Sequence, residues 1–265
     1  MILTSASTAN LILSVLTAIA YAWPAIRASQ IGPQAARAWA AVAWVLHAAV
    51  LSLSLLGDEP RFGFATALSV TAWLVAMVYA IESQLFPQLQ TRWTLCALGS
   101  GAVLLALVFP GSHFSTNTSA WLPLHLAFGV ASYGLIGTAV VHAWFMNRAE
   151  GRIRMAEDPH SGLPLLTLER LTFRLVGVGF ALLSITLLMG VGFSETVYGH
   201  ALHWDHKTVF SILAWLTFAV LMVGRSAFGW RGRRAVNILY GGSALLLLAY
   251  VGSRFVLEVI LGRST

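Results

Sequence analysis

The sequence predicts an all-α, polytopic membrane protein, a bundle of eight transmembrane helices with both termini on the outer side. Three observations carry that expectation. Hydrophobic residues make up 58% of the 265 positions and charged residues only 10%, with a mean hydropathy of +0.77. A soluble domain carries about a quarter charged residues, so this chain lacks the polar groups to cover a surface in water. Apolar runs long enough to cross a hydrocarbon core of about 30 Å recur along its whole length. The basic residues between those runs fall mainly into alternate loops, as orientation in a bilayer requires.

The runs are placed near 8–26, 39–56, 63–81, 93–110, 121–145, 172–192, 208–224 and 236–260. They are read as helices because a backbone in lipid must satisfy its own hydrogen bonds. The first has no basic residue before it, so it is read as a retained span and not a cleaved leader. It stops before Arg27, and the second starts after Arg37. The third follows Arg61 and the fourth follows Arg92. The fifth comes after a polar loop containing His113 and ends short of Arg148. Arg170 precedes the sixth, Lys207 and Arg225 bracket the seventh, and Arg231, Arg233 and Arg234 precede the eighth. No internal repeat and no soluble domain stands out, so 1–265 is read as a single integral membrane domain whose main partner is the lipid bilayer.

The net charge of +6 does not call for nucleic acid. Arginines at 27, 37, 92, 148–174 and 225–234 fall on one side of the expected bundle, and only Arg61, Lys207 and Arg263 on the other. The basic side should face the cytoplasm. Both termini and the His200–Lys207 loop then face outward, which in a bacterium is the periplasmic side of the inner membrane. One cysteine, Cys96, excludes an internal disulfide, a CxxC pair and a CxxCH attachment site.

That topology sorts the histidines by depth. His125 lies at the outer end of the fifth span, and His142, 17 residues on, lies about 25 Å away at the inner end. His47 sits near the middle of the second span. His200, His203 and His206 follow at intervals of three, with Trp204, Asp205 and Lys207 between and beside them. Imidazoles spaced three apart lie near one face of a helix. Three uses remain open on spacing alone: axial ligands to haem iron, a small metal site, or solvated loop residues.

Aromatic residues add weight to the first use. Phe193, Tyr198, Trp204, Phe210 and Trp215 could form a flat apolar shelf beside the imidazoles, with Lys207, Arg61 and Arg254 as cations for propionates. The competing explanation is the aromatic belt of any membrane interface. Asp205 either fixes a histidine tautomer or pairs with Lys207. Arg254 and Glu258, four apart, read as an ion pair in which Arg254 is also a candidate propionate partner. His47 reads either as a hydrogen-bonded core residue or as an intramembrane haem ligand.

The segment His200-Ala-Leu-His-Trp-Asp-His-Lys-Thr, followed by Phe210-Ser-Ile-Leu-Ala-Trp and ending at Gly224-Arg225, resembles the cytochrome c assembly family of integral membrane haem-handling proteins. Gly229–Val236 and Ala249–Leu261 fit the shorter branch of that family. The resemblance implies a Trp-rich outer segment ending in Trp-Asp that holds haem flat, with external histidines on the iron. Trp204 and Asp205 match the end of that motif and His125 matches the upstream external histidine. His47 stands where the resemblance would put an intramembrane ligand. The long form repeats tryptophan where Tyr198 and His203 stand, and it carries an external histidine after the motif, whereas none follows His206. The resemblance thus implies His125 as an iron ligand, with the second place taken by His206 or His203, or left without a histidine.

The expected function is a non-enzymatic, haem-binding inner-membrane protein that assists cytochrome c assembly or haem handling at the periplasmic face. Its cofactor would be haem b, held non-covalently, and its partners other cytochrome c assembly proteins or a haem acceptor. The alternative is a divalent metal-ion transporter, or an accessory subunit of one, with the histidines as transient ligands. No nucleophile-base pair, phosphate loop or HExxH helix suggests an enzyme.

Overall fold

Long apolar stretches leave the backbone of a helical bundle only one way to satisfy itself in lipid, and helices account for nearly all of the described residues. The computed structural model describes residues 8–27, 30–57, 60–85, 93–113, 121–154, 165–192 and 204–261. It divides into two compact units, Met1–Ser115 with Arg254–Thr265, and Thr116–Ser253.

The first unit contains α1 (Thr8–Ile26), α2 (Pro33–Leu56), α3 (Phe64–Leu85) and α4 (Trp93–Val108). Pro33 opens α2, where a missing N–H costs nothing. Helix α1 packs on α2 and α4, and α3 packs on α4 and α2. Several polar side chains within these helices hydrogen-bond locally or across helix pairs. The Thr17 hydroxyl donates to the Leu13 carbonyl, and Ser100 donates to Ala18 of α1. Trp44 and Trp73 stack with ring centroids 4.7 Å apart, and each indole N–H donates to the other residue's carbonyl at 3.1–3.2 Å.

Two short strands were not expected. β1 (Arg61–Phe62) pairs antiparallel with β2 (Ser112–His113), Arg61 opposite His113. Gly111, at φ 81°, lets the two backbones close on each other, and Gly63 packs directly against it. The ribbon leads into α3, whose first N–H, on Phe64, hydrogen-bonds the Glu258 carboxylate. The Arg254 charge acts on Glu258, as their spacing of four predicts. Glu258 also caps a helix far away in sequence.

The second unit contains α5 (Leu122–Arg154), α6 (Leu165–Gly192), α7 (His206–Phe228) and α8 (Gly232–Leu247). Helices α5 and α6 pack along each other, and at Gly179 Ile136 approaches to where a Cβ would be 2.9 Å from it. The Ser132 hydroxyl donates to the Gly179 carbonyl at 2.9 Å across the same contact. Ile136, Ala139, Val176, Phe218, Leu221 and Leu239 form the centre of the core. Trp215 of α7 donates to Ser184 of α6 at 2.8 Å. Gly229, at φ 64°, ends α7 in the left-handed conformation, which only glycine adopts without penalty.

After α8 the helix widens. Leu248–Gly252 and Val256–Ile260 are π-helical, separated by one α-helical turn at Ser253–Phe255. The Tyr133 hydroxyl donates to the Leu246 carbonyl just before the first of these turns. Such turns release a carbonyl from the ordinary ladder, and a side-chain donor here meets one next to it.

Seven helices among the described residues are long and apolar enough to cross a membrane, so the all-α polytopic class holds. Helix α4 is the short one. Its 16 residues rise about 24 Å, less than a core of about 30 Å.

Candidate functional site

The expected site residues divide between the two units. In the second unit, His125 occupies the first turn of α5 and is only 8% exposed. The end of α6 walls it in. A Cβ at Gly190 would stand 3.4 Å from the His125 Cε1, and the Thr186 carbonyl is within hydrogen-bond reach of the imidazole. Lys207, in the first turn of α7, is close enough for its charge to act on the same ring. Its ammonium also lies 5.8 Å from the centroid of the Tyr250 ring, in the first π-helical turn. The starts of α5 and α7 and the end of α6 therefore share one end of this unit.

Asp205 shapes the start of α7. Its carboxylate accepts the Thr208 N–H at 2.8 Å as the N-cap of the helix. Burial by itself would raise the Asp205 carboxyl, but the Thr208 N–H and hydroxyl, with Lys207 nearby, hold it below its ordinary value. Neither reading offered from sequence, tautomer holder or Lys207 partner, included this role. The signal was present as an Asp three positions before Thr208, at the head of an apolar run. Trp204, beside it, is 75% exposed, and His206 begins the helix with its side chain exposed. His200 and His203 lie outside the described residues.

In the first unit, His47 is fully buried and both ring nitrogens are engaged. Nε2 lies 2.8 Å from the Ser69 Oγ and Nδ1 3.3 Å from the Tyr21 hydroxyl. Either neutral tautomer satisfies both contacts, because each hydroxyl can donate or accept. Ligation of a metal there would cost one of these bonds. Arg254 also lies in this unit, with its charge acting on Glu258. His142, on α5, is buried at 2% exposure about 25 Å along the helix from His125.

The donor set around His125 suits an iron porphyrin. It offers an imidazole backed by a glycine, an exposed indole at the head of α7, and a lysine for a carboxylate. Among the described residues, no three His, Cys, Asp or Glu side chains converge on a point that could hold a bare metal ion. Sequence reasoning missed Thr186, Gly190 and Tyr250, which lie in apolar runs that carry no mark of a site.

Fold and composition together define a multi-pass α-helical membrane protein. A family model described as cytochrome C assembly protein matches residues 34–261. The chain belongs to the cytochrome c assembly protein family. It is 27% identical over 230 residues to "Inner membrane protein YpjD" of Escherichia coli (strain K12), covering 83% of this chain and 86% of that protein. It is 27% identical over 236 residues to "Cytochrome c biogenesis protein CcsA" of Synechococcus elongatus, covering 80% and 72%. An uncharacterized 28.8 kDa protein of Azospirillum brasilense is 32% identical over 145 residues, 54% of each chain.

Proposed function

We propose that this protein binds haem b non-covalently and hands it on during cytochrome c biogenesis, in the inner membrane of a bacterium and without catalysing a covalent change. The observation that carries the reading is the meeting of His125 with the Lys207-bearing start of α7, directly after the exposed Trp204. Membership in the cytochrome c assembly family and the printed names of its relatives support it.

His125 would hold the iron, with His206 or His203 as a second ligand. Trp204 offers an indole face to the macrocycle, which gains from aromatic stacking. Lys207 balances a propionate, and Asp205 holds the first turn of α7 so that Lys207 and His206 keep their place. Bound haem supplies the iron porphyrin that an apocytochrome requires. Counting α4, eight helices would cross the bilayer with both termini in the periplasm, an orientation supported by the arginines at the opposite end of the second unit.

The test is the absorption spectrum of protein purified from haem-replete cells, beside His125→Ala and His206→Ala. A Soret band in the wild type that is lost in His125→Ala, with helical circular dichroism unchanged, is the expected result. A featureless wild-type spectrum overturns the reading. An unaltered band in His125→Ala removes His125 as the ligand.

A further inference from the structure

The end of the second unit opposite His125 has a separate chemistry. Residues 148–174 and 225–234 hold nine arginines against four acids, which is five of the chain's six net positive charges. The helix ends gather there: Arg225 of α7 binds Glu169 of α6 at 2.9 Å and reaches the Trp230 carbonyl at 3.5 Å. Trp230 packs flat on Gly224, and the Arg234 guanidinium lies 4.0 Å from the centre of its ring. Arg231, Arg233 and Arg234 are all exposed.

Immediately along α7 the surface changes to apolar. Val220, Val223 and Phe228 are 53%, 56% and 72% exposed. Exposed guanidinium groups, one of them held on Trp230, thus adjoin exposed hydrocarbon at the end of a membrane-spanning helix. A ligand that fits both must be anionic at its head and apolar in its body. Guanidinium groups bind phosphate with paired hydrogen bonds, and stacking on Trp230 holds one of them in position.

We propose that this collar binds anionic phospholipids of the surrounding bilayer, with Arg231, Arg233 and Arg234 on the phosphate and Phe228 against the acyl chains. A soluble acidic protein would satisfy the charge and leave the apolar surface unmet. The inference is independent of haem, because it uses no residue of the His125 site.

The experiment uses the full chain in nanodiscs of phosphatidylcholine containing a minor fraction of phosphatidylglycerol, with retained lipid identified by native mass spectrometry. Wild type is expected to retain phosphatidylglycerol in preference to phosphatidylcholine. Each arginine changed to glutamine should weaken that preference by about fivefold, so Arg231→Gln/Arg233→Gln/Arg234→Gln should abolish it. Single Arg233→Gln, at an exposed position, serves if the triple variant does not fold. Equal retention of the two lipids by the wild type overturns the proposal, as does an undiminished preference in Arg233→Gln and the triple variant. Displacement of phosphatidylglycerol by inorganic phosphate at equal ionic strength would overturn it too, since it would mean a plain anion site.

Discussion

His47 Nε2 and Ser69 Oγ lie 2.8 Å apart, and neither side chain has any exposed surface. With Tyr21 on the other ring nitrogen, this contact ties α1, α2 and α3 together by side chains alone. In lipid no water can replace a lost partner. Ser69→Ala should therefore destabilise the protein by about 1–3 kcal/mol, the range for leaving a buried polar atom unmet. Ser69→Thr, which keeps the hydroxyl, should lose less. Thermal unfolding of both variants in detergent checks this, and equal stability of Ser69→Ala and wild type would refute it.

The Asp205 cap predicts a pH dependence with a definite sign. Its folded pKa is lowered, so its stabilisation is complete above the ordinary carboxylate value of about 3.9 and is lost as pH falls through the lowered folded value. At pH 7, Asp205→Ala should cost the start of α7 about 1 kcal/mol. The cost should fade only in strongly acidic buffer. Hydrogen exchange at the Thr208 amide reads it directly, since that N–H is the one capped.

Trp230 occupies the space that a side chain at Gly224 would need. Gly224→Ala forces the indole off the helix, and overpacking of this kind costs about 1–3 kcal/mol. The same displacement should free Arg234 from the ring and alter Trp230 fluorescence. A variant with wild-type stability and emission would show that the turn adapts without cost.

Arg225 and Glu169 are 22% and 12% exposed, so each would be left a poorly solvated charge without the other. Arg225 also covers Phe173, 3.8 Å from the ring centre. Single changes Arg225→Met and Glu169→Gln should each cost about 1–3 kcal/mol. The double variant should cost less than their sum, which a double-mutant cycle by thermal unfolding measures. Strict additivity would mean that the pair contributes nothing specific.

Much of the architecture could be read from the chain, and the reasons are local. Gly229 marks where α7 stops, four residues beyond the 224 expected from the apolar run, and Asp205 marks where it starts. The arginines of 148–174 and 225–234 mark one end of four helices. Other features had no local sign. The β1–β2 ribbon is two residues a side, too short for any periodicity. Glu258 caps α3 across nearly two hundred residues of chain, and its nearer neighbour Arg254 offered a simpler partner. Gly190 faces His125 from within a run of apolar residues like many others here.

Composition and the lengths of the apolar runs determined by themselves that this chain is a many-helix membrane protein, and the arginine pattern set the two ends of its helices apart. Only the tertiary structure decided that His47 would spend both nitrogens on Tyr21 and Ser69, and that His125 would meet Gly190 and Lys207. The reason is rotational. A helix that is apolar all round is free, as far as its sequence shows, to turn any face inward, and the few polar side chains find their partners only once packing has chosen one.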